Sequence, residues 1–233
     1  MYTWISRVRP LCRLAILSAL IALPGCLANS DVSMGTGGIG FSRAAPEKIS
    51  VAGRSVIVAG PPGYCIDRSA TKDSATGAFV LLGSCSLIAN SPPKAATVPP
   101  ALLTASVSPS NSTVVAASTD QLAAFFRSGP GRAALARDGR AASVSILKTQ
   151  RRGDALYLHA RDTSSDTVGG LAPDYWRGIF DLGDRLVTVS VIGFADRPLS
   201  HDDSLSTLDA FAARIRSENR ATVDGVQNPG LPG

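Results

Sequence analysis

The sequence predicts an α+β fold in a single domain, with a mainly antiparallel sheet and helices packed on it. Three patterns support this prediction. Apolar residues alternate or run continuously over segments of strand length. Two later pairs of such segments are separated by turn residues, and a helical apolar stripe follows them. Strand and helix do not alternate regularly, which argues against a parallel α/β sheet.

The first strands lie in the N-terminal half of the domain. Pro61-Pro62-Gly63 favours a turn, and the polar segment 67–77 is typical of a loop. The proline-rich segment 90–100 cannot pair well in a sheet. Between these breaks, β-rich or continuously apolar residues predict extended structure at 49–58, 64–66, 78–88 and 102–107.

Two helices are predicted next. Ser118 and Gln121 have the spacing of a capping box, in which the side chain of each residue bonds the backbone of the other. The helix that begins there ends at Gly129. Pro130 begins a second short helix, which stops at Gly139.

Two hairpins are predicted after the helices. Residues 143–148 pair with 156–160 across the polar segment TQRRGD. Residues 176–182 pair with 185–194 across Gly183-Asp184.

A final helix begins near Asp203. Its apolar residues recur at helical spacing and predict one face packed on the sheet; they are Leu205, Leu208, Phe211, Ala212 and Ile215. We expect the domain to span 49–220 and the segment 221–233, which contains two prolines, to be a disordered tail.

The order of these elements resembles the PsbP-like family of photosystem extrinsic proteins and their envelope relatives. The resemblance is carried by VIVAGPPGYCID near the start of the domain and by RLVTVSVIGFADRPLS and LDAFAARIR at its end. It implies a binding or assembly factor. The segments GYCID and AFVLLGSC also resemble a group of uncharacterised bacterial envelope lipoproteins, a resemblance that implies no particular function.

The N-terminus has the pattern of a secretory signal peptide. Three arginines precede Leu14–Leu23, which is apolar except for Ser18. A transmembrane helix needs roughly 20 apolar residues, so this segment is too short to be one.

Leu23-Pro24-Gly25-Cys26 resembles a bacterial lipobox. The resemblance implies that residues 1–25 are removed, that Cys26 is lipidated, and that 26–48 forms a Gly-rich flexible tether. Leu27, where an aspartate would favour retention in the inner membrane, implies anchoring in the outer membrane with the domain facing the periplasm. The alternative is ordinary cleavage after Ala28, which would give a soluble periplasmic protein.

The charge balance argues against a nucleic-acid partner. The chain has 23 basic and 18 acidic residues and a net charge of +5. Residues 1–25 contain three arginines and no acidic residue, so the mature chain has 20 basic against 18 acidic residues. Nucleic-acid binding requires a much larger basic excess.

Two of the four cysteines are left for the mature domain. Cys12 leaves with the leader and Cys26 carries the lipid, so Cys65 and Cys85 remain. In an oxidising compartment the simplest fate of such a pair is a disulfide. A zinc site would need His159 and His201 as further ligands, and no short ligand spacing supports it.

No motif predicts a catalytic residue. Ser69 and Lys72 have the S-x-x-K spacing of penicillin-binding proteins, but their flanks are those of a solvated loop. His201, Asp202 and Asp203 could bind a cation, yet the same residues favour a helix N-terminus. We expect no cofactor and no metal.

Basic residues are concentrated between residues 127 and 152, where Asp138 is the one acidic residue. This patch is either a solvated surface or a site for an anionic partner, such as lipid headgroups or an acidic protein face. Its members are Arg127, Arg132, Arg137, Arg140, Lys148, Arg151 and Arg152.

These features predict a non-catalytic binding or assembly module of the cell envelope. Two other functions remain open. A cell-envelope hydrolase or ligand-processing enzyme would need a pocket that joins Ser69 and Lys72, or one that joins His159 with carboxylates. A purely structural outer-membrane lipoprotein would have no pocket.

Overall fold

The computed structural model describes residues 45–90, 98–110, 118–164 and 170–226, with side chains up to residue 220. The predicted signal peptide, Cys26, the tether as far as residue 44 and residues 227–233 of the predicted tail lie outside the described residues. No helix in the described ranges is long and apolar enough to cross a membrane.

Nine strands and four α-helices are present in these ranges. The strands are β1 (Lys48–Val51), β2 (Val56–Ala59), β3 (Tyr64–Ser74), β4 (Gly77–Ser84), β5 (Ala101–Val107), β6 (Val144–Arg152), β7 (Ala155–Asp162), β8 (Leu171–Leu182) and β9 (Arg185–Phe194). The helices are α1 (Cys85–Ile88), α2 (Thr119–Arg127), α3 (Gly129–Leu135) and α4 (His201–Val226). A short 3₁₀ turn, Ala141–Ser143, precedes β6.

Seven strands form one antiparallel sheet in the order β3-β4-β5-β9-β8-β7-β6. The remaining two, β1 and β2, form a separate antiparallel hairpin. Because helices pack on a mainly antiparallel sheet, the predicted α+β fold is confirmed. The sheet has two faces, which we call the α4 face and the α2–α3 face after the helices that lie on them.

The α4 face carries the larger apolar core. The predicted stripe of α4 packs on alternate residues of the sheet, and Leu208, Phe211 and Ile215 are 0% exposed. Asn219 joins the β1–β2 hairpin to the same helix, because its Nδ2 donates to the Ile57 carbonyl at 2.8 Å. Its Oδ1 accepts from the Ile57 N–H at 2.9 Å, so the hairpin extends this core.

A second apolar core lies on the α2–α3 face of the sheet. Leu122 and Leu135 pack there with Leu156, Leu158 and Ile179 of β7 and β8. The predicted capping box of α2 is present: the Ser118 side chain accepts from the N–H of Gln121, and the Ser118 N–H donates to the Gln121 side chain.

The segment 67–77 is not the predicted loop. Its residues up to Ser74 continue β3, with a bulge between Asp67 and Lys72. β3 is an edge strand, so its polar side chains face solvent and give no apolar alternation. The Asp67 carboxylate accepts from the Ser69 N–H at 2.8 Å and holds the bulge.

The predicted strand 78–88 extends further at its C-terminal end than the strand in the structure. β4 stops at Ser84, and the next four residues form α1. The Cys85 N–H donates to the Gly63 carbonyl at 2.9 Å, which turns the chain away from the sheet. Cys65 and Cys85 form the predicted disulfide, with Cα atoms 4.7 Å apart.

Both C-terminal hairpins have the predicted pairing; β9 has the predicted bounds, and β6, β7 and β8 are longer than predicted. TQRR continues β6, and the turn narrows to Gly153-Asp154. Gly153 and Gly183, the first residues of the two Gly-Asp turns, have φ of +61° and +64°, which glycine adopts without strain. Helix α4 continues to Val226, beyond the predicted domain end at residue 220.

Candidate anion-binding pocket

A cleft of about 240 Å³ lies between α2 and β6, on the α2–α3 face. Two members of the predicted basic patch, Arg127 and Arg151, line it. Hydroxyl, carboxylate, amide and apolar groups complete the lining, from Thr119, Asp120, Ala123, Thr149, Gln150 and Leu156.

The two arginines reach the cleft for local reasons. Arg127 is the last residue of α2, where a cation interacts favourably with the helix dipole. Arg151 pairs with Leu156, whose side chain lies in the core beneath α2. Residues that pair directly across two strands share a face, so Arg151 points to the same side as α2.

Each arginine is held by a neutral hydroxyl and keeps donors free for a ligand. Arg127 Nη2 donates to Thr149 Oγ1, and Arg151 Nη2 donates to Thr119 Oγ1. Arg151 Nη2 also lies 3.6 Å from Asp120 Oδ2, but both side chains are well exposed, so this ion pair is weak. A guanidinium carries five donors that match a phosphate or carboxylate group, so the cleft can bind an oxyanion.

The structure does not bring the other five basic residues to this cleft. Arg132 donates to two backbone carbonyls, those of Arg127 and Ala141. Arg137 is engaged by Asp162 and a backbone carbonyl. Arg140 pairs with Asp138 at 2.8 Å. Lys148 and Arg152 pair with His159 and Ala155, which places both on the α4 face.

Ser69 and Lys72 do not have the setting of an acyl-enzyme site. Ser69 Oγ donates to Asp67 Oδ1 at 2.5 Å in the exposed bulge of β3. Lys72 is exposed on the same edge strand, whereas the S-x-x-K motif requires a helix.

His201 begins α4, with Asp202 and Asp203 in the first turn. Ser200 Oγ accepts from the Asp203 N–H at 3.0 Å, as a helix cap does. In the described part of the chain, no three His, Cys, Asp or Glu side chains are placed to hold a metal ion.

Both histidines of the chain meet at one tryptophan, a contact that sequence reasoning missed. The His159 ring stacks on Trp176 with centroids 4.9 Å apart and planes 8° apart. His201 lies edge-on to both rings, at 5.4 Å from His159 and 5.1 Å from Trp176. The three residues come from β7, β8 and α4, so only the tertiary fold brings them together.

This cluster predicts a pH dependence of stability. Burial lowers the pKa of His159, and the charges of His201, Arg161 and Lys148 lower it further, against the opposing effect of Asp174. As the pH falls, the unfolded chain, with a histidine pKa of about 6.5, is therefore protonated at a higher pH than the folded chain is. The free energy of unfolding should fall as pH drops below about 6.5 and level off below the folded-state pKa.

The measurement is urea unfolding followed by circular dichroism between about pH 5.5 and pH 7.5. His159→Gln should flatten the dependence over this range, since the glutamine does not titrate. The same pH slope in both proteins would contradict the assignment to His159.

No protein-family model matches the chain, and no curated protein matches it. Among solved structures, a mutant of the protein Mog1 is similar over 70% of this chain and 82% of its own, with 11% sequence identity and a TM-score of 0.35. At that identity and TM-score the similarity supports no statement about function.

Proposed function

We propose that this protein is a non-catalytic binding or assembly module of the bacterial cell envelope. Lipidated Cys26 anchors it in the outer membrane, and its α+β domain faces the periplasm. The lipobox-like sequence and the Gly-rich segment after it support the anchor and the tether. The resemblance to the PsbP-like family supports a binding or assembly role.

The observation that carries the binding role is the cleft between α2 and β6. Arg127 and Arg151 present guanidinium groups beside the hydroxyls of Thr119 and Thr149, and no buried carboxylate of the described residues neutralises them. The opening suits a group of a few heavy atoms, such as the phosphate of a lipid headgroup. A tether of about 20 residues spans on the order of 25 Å, which lets the domain reach the membrane surface. The proposed ligand is therefore the phosphate group of an anionic phospholipid or lipopolysaccharide.

Charge reversal in the cleft tests this role. The mature chain, residues 26–233, carrying Cys26→Ser has neither the leader nor an acyl chain, and it is mixed with phosphatidylglycerol vesicles and sedimented. Arg127→Glu with Arg151→Glu should reduce the bound fraction at least tenfold at low salt, because both phosphate contacts become repulsive.

The matched control is Arg68→Glu with Lys72→Glu. These exposed residues lie on β3, at the opposite edge of the sheet from β6, and the same change in net charge is made there. This control should keep most of the binding. Equal losses in the two double variants would show a general charge effect and reject the cleft, as would unchanged binding after reversal at Arg127 and Arg151.

A further inference from the structure

A partly buried arginine lies on the α2–α3 face and forms no ion pair with any described carboxylate. Arg177, on β8, pairs with Leu158 of β7 on one side and with Ser190 of β9 on the other. Its Nε donates to Ser190 Oγ at 3.0 Å, and Ser190 is 1% exposed. Within the described residues this is the one hydrogen bond of its five donors, and no described carboxylate forms an ion pair with it.

A second guanidinium packs against the same tyrosine ring. Arg177 Cζ lies 5.2 Å from the centroid of Tyr175, and Arg137 Cζ lies 5.9 Å from it. Tyr175 is 3% exposed, and its hydroxyl donates to the Leu135 carbonyl at 3.2 Å. The Tyr175 ring is therefore a shared contact of both arginines and is itself bonded to the end of α3.

The negative charge near these two cations is the carboxylate of Asp162. Asp162 is fully buried, and its Oδ2 accepts from the Arg137 N–H at 2.9 Å and lies 3.9 Å from Arg137 Nε. Its Oδ1 accepts from the Ser164 N–H at 2.9 Å. Arg137 Nη2 donates to the Ala172 carbonyl, whereas Arg137 Nη1 is buried and has no hydrogen-bond partner among the described residues.

Among the described residues, the cluster thus has one positive charge in excess and one unused buried donor. Burial lowers the pKa of Arg177 and the charge of Arg137 lowers it further, against the opposing effects of Tyr175 and Asp162, and burying an incompletely paired charge is costly. Buried polar groups almost always have partners. A monovalent oxyanion would balance the charge and satisfy the free donors.

The surface beside Arg177 indicates what else the ligand contains. Ser190 pairs with Thr104 of β5, and Thr104 pairs with Leu81 of β4, so all three side chains share the face of Arg177. Leu81 and Leu102 are partly exposed on this half of the sheet. Hydroxyls therefore lie next to the guanidinium, and an apolar strip lies beyond them.

We propose that Arg177 binds the carboxylate of a small organic acid whose apolar body lies along Leu102 and Leu81. The planar fork of the guanidinium matches a carboxylate, and a monoanion matches the single excess charge. This site lies on β8 and β9, apart from the cleft of Arg127 and Arg151, and does not depend on the role proposed for that cleft.

Benzoate is the probe that tests the proposal. The full chain carrying Arg127→Glu with Arg151→Glu, which removes the cleft proposed to bind phosphate, is titrated with benzoate and with phosphate at constant ionic strength while the unfolding temperature is measured. Benzoate should raise the unfolding temperature in a saturable way, and phosphate should not. A shift with phosphate and none with benzoate, or no shift with either, would overturn the proposal.

Variants separate the two sites. Arg177→Met should weaken the apparent Kd for benzoate on the order of tenfold or more, since the charged hydrogen bonds are lost. Arg127→Glu with Arg151→Glu should leave the Kd unchanged. An unchanged Kd in Arg177→Met would overturn the assignment.

A measurement on the unmodified side chain covers the case in which Arg177→Met does not fold. The ¹⁵N resonance of Arg177 Nε, assigned in the full chain, should shift saturably with benzoate at the same Kd. A resonance that does not move would also overturn the proposal.

Discussion

Phe211→Ala is expected to lower the free energy of unfolding by about 3–5 kcal/mol, the largest effect of any substitution considered. Phe211 is 0% exposed and lies in the middle of the α4 stripe, in the core that joins α4 to the sheet. Truncation removes the apolar contacts of the ring and leaves a cavity that the strands cannot close, because their paired backbones hold them in place.

Urea unfolding of the full chain measures this loss. Phe125→Ala is the matched control, since Phe125 is also a helical phenylalanine but is 46% exposed on α2. It should change the free energy by less than about 0.5 kcal/mol. Equal losses in the two variants would contradict the placement of Phe211 in the core.

Removal of the disulfide is expected to lower the free energy of unfolding by about 3 kcal/mol, as the chain-entropy model gives for a loop of this length. Cys65 and Cys85 are 20 residues apart in sequence, and the bond joins an edge strand to α1. In the reduced protein the unfolded chain gains the entropy of the open loop, and α1 loses its covalent attachment to β3.

The measurement compares the double variant, in which Cys65 and Cys85 are both replaced by alanine, with its parent. Both proteins also carry Cys12→Ser and Cys26→Ser. Dithiothreitol should lower the urea midpoint of the parent towards that of the double variant and leave the variant unchanged. An unchanged midpoint in the parent would show that the bond is absent in solution.

Features set by local chemistry could be predicted from the sequence. The capping box of Ser118 and Gln121 lies within one helical turn, and the Gly183-Asp184 turn joins two adjacent strands. In both cases neighbouring residues determine the backbone. The same holds for the stripe of α4, whose spacing alone identifies the buried face.

Features set by the sheet order could not be predicted in this way. Polar residues in β3 were predicted as a loop because only its position at the sheet edge lets them remain in a strand. The patch 127–152 divides between two sheet faces because residues within β6 alternate. Arg177 gave no signal, since its hydrogen-bond partner Ser190 becomes a neighbour only when β8 pairs with β9.

The pairing of β5 with β9 also determines when the fold can be completed. Its partners, from Val107↔Val187 to Ala101↔Gly193, are 80 to 92 residues apart in sequence. The three strands β3, β4 and β5 therefore remain with one edge of β5 unpaired until almost the whole domain has left the ribosome or crossed a membrane. Such high contact order slows folding, and an open edge invites pairing with other chains. The late formation of the central strand pair therefore leaves the incompletely folded domain prone to aggregation during its synthesis.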